Sequence, residues 1–277
     1  MIAPGDTRAM TRFICVQCGT QYPDSETPPA LCTICSDDRQ YVRYGGQAWT
    51  TLAELAATHR QTFHEEGEGI TGIVMEPPFA INQRPLLLQS RAGNVLWDCN
   101  TILTDAGVAE IKRRGGLIAI AISHPHYYST MLEWSDAFGG IPIYIHADDR
   151  QWVMRGGPAI VSWEGETLAI NPEMTLIRCG GHFPGGQVLH WSAGEGGKGA
   201  LFTGDIAMVA QDRRHVTFMY SFPNYLPLNA TAVNRIAAAV APFAFDSVYG
   251  AWTTLNIKGG GKPAFAASVA RYLKAIA

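Results

Sequence analysis

Four cysteines fall in two pairs, Cys15-Val-Gln-Cys18 and Cys32-Thr-Ile-Cys35. Two thiolates three positions apart on a tight turn can both face one ion, and two such turns complete a tetrahedron. The pattern reads as a four-cysteine zinc ribbon rather than as disulfides or metal-free redox pairs. The short stretch between the pairs disfavours a rubredoxin-like iron site. Gly19 follows the first pair, where a knuckle turn often needs a positive φ. A second set is histidine-rich. His124 and His126 flank Pro125 directly after the apolar run Leu117–Ile122. His182 lies in Cys179-Gly180-Gly181-His182-Phe183-Pro184-Gly185-Gly186, and Asp205 and Asp98 close the runs Leu201–Asp205 and Val95–Asp98. Histidines at i and i+2 of an extended segment project from the same side. Loops at strand ends are where α/β proteins build sites. Three histidines and an aspartate so placed form a candidate shell for a divalent ion.

The elements needed to position these residues are legible in outline. The ribbon is expected over residues 10–44, ahead of the Gly45-Gly46 break. Apolar positions Leu52, Leu55, Ala56 and Phe63 predict a helix over 51–64, which would carry His59 and His64 on a solvated face. Leu86–Ser90 and Val95–Trp97 read as two strands around the turn Arg91–Asn94. A helix is expected over 104–114, stopped by Gly115-Gly116. The unbroken apolar run Leu117–Ile122 suits a strand covered on both faces. A helix over 129–138 and a strand over 142–146 continue the alternation of an α/β layer. The second half offers strands at 168–170, 175–178, 187–191, 200–203 and 246–249. Helices are expected over 230–241 and 264–277.

Length and composition bound the rest. The chain has 277 residues, 47% of them apolar and 16% charged, with a formal net charge of −3. That suffices for a full core, excludes a disordered chain and supplies no net-positive field for nucleic acid or an acidic membrane. Within the ribbon, Arg12, Arg39 and Arg43 face Asp24, Glu26, Asp37 and Asp38. This balance argues against phosphate binding and for a cap or a protein-interaction knob. The N-terminal Met-Ile-Ala-Pro-Gly-Asp-Thr-Arg has no apolar run and reads as no signal peptide, and no apolar stretch approaches a membrane span. The expected location is the cytoplasm. Cys99 and Cys179, each alone, read as buried apolar residues. His146 reads as structural or pocket-lining, His190 as a strand residue, and Arg213-Arg214-His215 as a solvated basic turn. The aromatic and proline-rich stretch 218–228 is expected partly to line a pocket and partly to cover the core.

Taken together, Leu96-Trp97-Asp98, Ser123-His124-Pro125-His126, Gly181-His182-Phe183-Pro184-Gly185 and Phe202-Thr203-Gly204-Asp205 resemble, in order and spacing, the metallo-β-lactamase fold over residues 70–255. The resemblance implies an αββα sandwich with metal at one edge, and hence two units: a ribbon over 1–44 and a sandwich over 45–277. It matches His124, His126 and His182 to the three histidines of the family's first metal site. It matches Asp205 to the aspartate that bridges two metals and Asp98 to an aspartate that orients the histidine loop.

Departures from the family pattern are concentrated in the second metal site. Where the family has Asp-His after the second histidine, this chain has Tyr128-Ser129, and no histidine stands at Tyr249-Gly250-Ala251-Trp252. Tyrosine and serine are poor ligands for a divalent ion at neutral pH. One zinc on three histidines, with Asp205 as fourth ligand or proton acceptor, is therefore expected, beside the zinc of the ribbon. Tyr128, next to the histidine pair, is a candidate hydrogen-bond donor to a developing oxyanion, against the plainer role of packing. The expected function is hydrolysis of an ester, thioester, lactone or amide, with a small molecule as substrate. The alternative is a non-catalytic scaffold with a structural metal, the ribbon binding a protein partner or a second copy. A redox role like that of the fold's diiron members lacks the second-site carboxylate.

Overall fold

The run Leu86-Leu87-Leu88 sorts its side chains by simple alternation, and the sorting defines the layers. Leu86 and Leu88 join Ile70, Val95, Trp97, Ala119 and Ala121 in one apolar cluster, while Leu87 joins Leu96 and Ile120 in another. A sheet apolar on both faces must be covered on both. In the computed structural model, which describes residues 10–277, it is covered on both. The N-terminal segment read above for a signal peptide lies outside the described residues.

The ribbon contributes strands β1 (Thr11–Cys15), β2 (Gln21–Ser25) and β3 (Trp49–Thr50), paired in the order β2-β1-β3. Helix α1 (Leu52–Thr58) follows, opened by a capping box between Thr51 and Glu54. The first large sheet is built from β4 (Arg60–Gly67), β5 (Ile70–Glu76), β6 (Leu86–Leu88), β7 (Val95–Trp97), β8 (Ala119–Ala121), β9 (Ile143–His146) and β10 (Ile160–Trp163). Its order is β10-β9-β8-β7-β6-β5-β4, antiparallel from β4 to β7 and parallel from β7 to β10. Helices α2 (Asp105–Arg113) and α3 (Met131–Ala137) supply the crossovers, and Ile111, Met131 and Trp134 cover the outer face.

The second sheet joins β11 (Thr167–Ala169), β12 (Met174–Arg178), β13 (Gln187–Trp191) and β14 (Ala200–Gly204) to the strands Ser247–Gly250 and Asn256–Ile257. Met174, Leu176, Leu189, Trp191, Phe202 and Tyr249 meet the inner face of the first sheet. The helices Ala230–Val240 and Gly261–Ala275 cover the outer face through Val233, Ile236 and Phe265. Helix, sheet, sheet and helix stack in that order, giving the αββα sandwich expected from the sequence.

One expectation fails. The helix expected over 51–64 ends at Thr58, and β4 begins at Arg60. The Thr58 hydroxyl donates back to the carbonyls of Glu54 and Leu55, and the chain leaves the helix extended at His59. From there Gln61, Thr62 and Phe63 pair with Met75, Val74 and Ile73 of β5. A β-branched and aromatic stretch is held by this hairpin despite spacing that also fits a helix. His59 therefore caps the helix and His64 lies on a strand. The strands β5 and β10 complete the sheet without having been read from the sequence.

Candidate metal centres

Cys15 and Cys18 leave the end of β1, and Cys32 and Cys35 come from the turn after β2. Their four sulfurs lie within 4.8 Å of one another. Cys15 Sγ to Cys35 Sγ and Cys18 Sγ to Cys32 Sγ are each 3.6 Å, far beyond a disulfide bond. Thiolates about 2.3 Å from one zinc at the corners of a tetrahedron are about 3.8 Å apart, so the cluster has the size of a metal cage. Its surroundings suit thiolates. Gln47 Nε2 donates to Cys15 Sγ at 3.3 Å and the Tyr22 hydroxyl to Cys32 Sγ at 3.5 Å. Gly19 adopts φ +81°, as the knuckle requires.

The histidine site forms where three loops leave neighbouring strands. β8 runs into Ser123-His124, and Pro125 opens a 3-10 turn over Pro125–Tyr127. The glycine-rich loop between β12 and β13 delivers His182, with Gly180 and Gly181 both at positive φ. Gly204 turns the end of β14 at φ +54°, and a side chain there would strike Ser123 Oγ. That turn presents Asp205. Ligand atoms of His124, His126, His182 and Asp205 lie within 4.8 Å of one another, and all four residues are buried. His124 Nε2 is 3.1 Å and His182 Nε2 3.8 Å from Asp205 Oδ1.

Electrostatics favours a cation there. His124 Nε2, His126 Nε2, His182 Nε2 and Asp205 Oδ1 are buried without hydrogen-bond partners among the described residues. Such groups are costly to leave unsatisfied, and a shared ion satisfies them together. Burial pushes His126 down to about 3 and holds His124 and His182 well below the ordinary imidazole value, so their nitrogens are neutral donors. Burial also raises the Asp205 carboxyl to about 7. Asp98, in a left-handed conformation at the end of β7, accepts the Ser123 N–H at Oδ1, 2.7 Å away. Ser123 Oγ in turn meets His124 Nδ1 at 2.9 Å. Asp98 is thus linked through Ser123 to the ring of His124, the placement expected of an orienting aspartate.

The site opens into a cavity of about 390 Å³, with His126, His182 and Asp205 on one wall. Tyr220, Phe222 and Pro223 line it too, as the aromatic stretch suggested, as does Trp252 from the stretch 249–252 where no histidine stands. Arg39, Gln40 and Tyr41 of the ribbon also line it, a contribution not read from the sequence. A larger cleft of about 460 Å³ around Glu68, Trp191 and Glu195 has no histidine or cysteine in its walls.

Tyr128 is placed elsewhere. Its ring joins the apolar cluster beneath the first sheet, and it lines a separate crevice with Thr20 and Met131. The tyrosine against the histidines is Tyr127, edge-on to His124 at 5.2 Å between ring centres, its hydroxyl buried without a hydrogen-bond partner among the described residues. The 3-10 turn, with three residues per turn, rotates the two side chains apart, and Pro125 was the available signal. His146 caps a short turn by accepting the Asp148 N–H, His190 contacts the Ala244 carbonyl, and His215 pairs with Asp212. None of the three lines the cavity, nor do Arg213 and Arg214. Cys99 and Cys179 are buried.

No protein-family model matches the chain. It is 47% identical over 269 residues to the uncharacterized protein YmaE of Bacillus subtilis strain 168, covering 96% of this chain and 97% of that protein. Among solved structures it is similar to VMB-1, with a TM-score of 0.57 at 14% identity over 79% of this chain and 99% of that one. DIM-1 metallo-β-lactamase gives 0.56 at 13% identity over 79% and 99%. SMB-1 metallo-β-lactamase in complex with mercaptoacetic acid gives 0.52 at 16% identity over 79% and 96%. These structural likenesses establish the fold. No helix among the described residues is long and apolar enough to cross a membrane.

Proposed function

The chain belongs to the family of Bacillus subtilis YmaE and has the metallo-β-lactamase fold, and on that premise we propose that it is a hydrolase with a single catalytic metal ion, acting on an ester, thioester, lactone or amide. The observation that carries this reading is the convergence of His124, His126, His182 and Asp205, buried and unpartnered, beside a cavity of substrate size. Three neutral imidazoles and one carboxylate suit zinc. The cysteine cluster is read as a second, structural zinc site in an N-terminal ribbon module, whose sheet runs past the boundary expected at 44 because β3 pairs with β1.

An ion bound to the histidine set supplies a Lewis acid that polarises a carbonyl and acidifies water. The chain's own residues do the rest. Asp98 and Ser123 fix the His124 ring, and Asp205 is the only carboxylate among the described residues that line the cavity, so it is the group to take up a proton, at the carboxylate oxygen turned away from the histidines. Tyr220, Phe222 and Trp252 offer apolar walls to an acyl group. A single ion is favoured because the second-site positions have other occupations. The Ser129 hydroxyl donates to the Gly19 carbonyl at 3.1 Å and lies 3.0 Å from Thr101 Oγ1, Tyr128 packs in the core, and Trp252 walls the cavity. The same losses favour the second reading, a scaffold in which the histidine-bound ion is structural.

The two readings are separated by metal content and turnover. Elemental analysis of unsupplemented protein is expected to give about two ions per chain, one per cluster. A panel of activated esters, thioesters, lactones and amides is then assayed with His124→Ala and His182→Ala beside the parent chain. Turnover lost in both variants supports the hydrolase, turnover that survives both refutes the mechanism, and a fully loaded chain inert to the panel favours the scaffold.

A further inference from the structure

His182 lacks the side-chain support that His124 has. His124 has Ser123 Oγ on its second ring nitrogen, whereas His182 Nδ1 is buried without a hydrogen-bond partner among the described residues. Metal-bound histidines are usually oriented through that second nitrogen. For His182 the orientation falls to the backbone of its loop. That loop has glycine on both sides, at 180, 181, 185 and 186, and glycine gives it unusual conformational freedom.

The support comes from the ribbon. Arg39 Nη1 donates to the His182 carbonyl at 2.9 Å. The same guanidinium lies 4.2 Å from the ring centre of Phe183, the next residue, and 5.0 Å from that of Trp152. Its Nε and Nη2 edge is held by both carboxylate oxygens of Asp37, two positions after Cys35. Asp37 Oδ1 also accepts the Arg39 N–H, so the carboxylate fixes backbone and side chain together. The backbone of the segment is tied down on the far side. Asn224 Nδ2 donates to the carbonyls of Asp38 and Gln40, and the Ser221 hydroxyl to that of Arg39. Each of the three guanidinium nitrogens of this arginine therefore donates to a fixed acceptor, and the planar fork makes the grip directional.

We propose that Arg39 is a positioning residue for the ligand His182, so that the metal state of the cysteine ribbon sets the metal affinity of the histidine site. The chain of contacts is continuous. The ribbon metal holds Cys32 and Cys35, the turn after Cys35 holds Asp37, Asp37 aims Arg39, and Arg39 fixes the carbonyl of His182 and the ring of Phe183. The proposal rests on the reading that both clusters bind metal, and its consequence is that a reagent which strips or oxidises the four thiols weakens the histidine site without touching it.

The test uses the full chain, loaded with cobalt as a spectroscopic probe. Cobalt on four thiolates gives an intense near-ultraviolet charge-transfer band that cobalt on histidine and carboxylate lacks, so the two sites are read separately. Arg39→Ala is expected to keep the thiolate band and to weaken cobalt at the histidine site about ten- to a hundredfold, the range for loss of an outer support. Arg39→Lys, which keeps the charge and loses the fork, is expected to fall between. Cys32→Ser is expected to lose the thiolate band and to weaken the histidine site as Arg39→Ala does. A histidine-site affinity within about twofold of the parent in Arg39→Ala overturns the proposal. If Arg39→Ala also loses the thiolate band, Arg39→Lys decides by the same measure. Hydrogen exchange of the amides at 182–187 separates this inference from the functional reading. If the parent chain takes no ion at the histidines, the hydrolase reading falls. Faster exchange in Arg39→Ala then still upholds the hold of Arg39 on the His182 loop while the coupling of the two metal sites falls, and unchanged exchange ends both.

Discussion

The Ser129 hydroxyl donates to the Gly19 carbonyl at 3.1 Å, joining the position where the fold family keeps a second-metal histidine to the knuckle of the cysteine ribbon. Gln21 N–H returns a bond to the Ser129 carbonyl at 3.2 Å, and a side chain at Gly19 would lie 2.3 Å from Thr101 Oγ1. The ribbon docks on Ser129 and Thr101 through these contacts. Ser129→Ala leaves a buried acceptor short of a donor and is expected to cost about 1–3 kcal/mol of stability. Both metal ions should be retained. Urea unfolding with elemental analysis checks this, and loss of the histidine-site ion would show that Ser129 serves that site after all.

Asp98 reaches the His124 ring through one backbone N–H and one hydroxyl of Ser123. Asp98→Ala removes the acceptor of the Ser123 N–H and is expected to weaken metal at the histidine site about ten- to a hundredfold, leaving the cysteine site unchanged. Competition with a chromophoric chelator reads both sites. Unchanged affinity at the histidines would remove Asp98 from any orienting role.

Asp149 is buried, with Oδ1 accepting the Gly185 N–H at 2.8 Å and Oδ2 without a partner among the described residues. Burial raises its carboxyl from 3.8 to about 7, with Asp148 adding to the rise and Arg39 and Arg178 opposing it. The folded state therefore holds a proton that the unfolded chain releases earlier, and stability falls as pH rises from about 4 to about 7. Asp149→Asn keeps the acceptor for Gly185 and removes the titration. It is expected to match the parent near pH 4 and to exceed it near pH 8 by on the order of 2–4 kcal/mol. Denaturation curves at the two pH values decide it, and a parent-like pH slope in the variant would count against it.

Tyr128→Phe is expected to leave metal content and turnover within about twofold of the parent, because the ring packs in the core and lines a crevice apart from the cavity. Steady-state kinetics on any substrate found in the panel supplies the check. A large fall in turnover at unchanged KM would restore the oxyanion role expected from sequence.

What was legible in the sequence was whatever has short-range causes. The cysteine pairs, the strand from Leu86, the run into His124 and the glycine turn at His182 are each readable within ten residues. The hairpin from Arg60 to Glu76 was not, because the half-exposed β4 carries spacing that fits a helix as well, and only pairing with β5 decides. Tyr127 and Tyr128 were indistinguishable until the turn at Pro125 fixed which faces the histidines. Arg39 looked like one charge in a slightly acidic ribbon. Its place beside His182 depends on a contact across 143 positions, which no local pattern encodes.

That separation has a consequence for the order of events during synthesis. Cys35 leaves the ribosome while Ser129, His182 and Asn224, the groups that will grip the ribbon, are still untranslated. At about 5–20 residues per second, His182 follows Arg39 by roughly 7–30 seconds. Through that interval the ribbon has no sandwich to lean on, and on the reading that the four cysteines bind an ion, the closed knuckle adds to the β1–β2 pairing in holding its shape. Supply of the first ion thus becomes a timing condition on folding of the chain. A cell short of that ion would present the later-made histidine loop with a docking partner that has not yet folded.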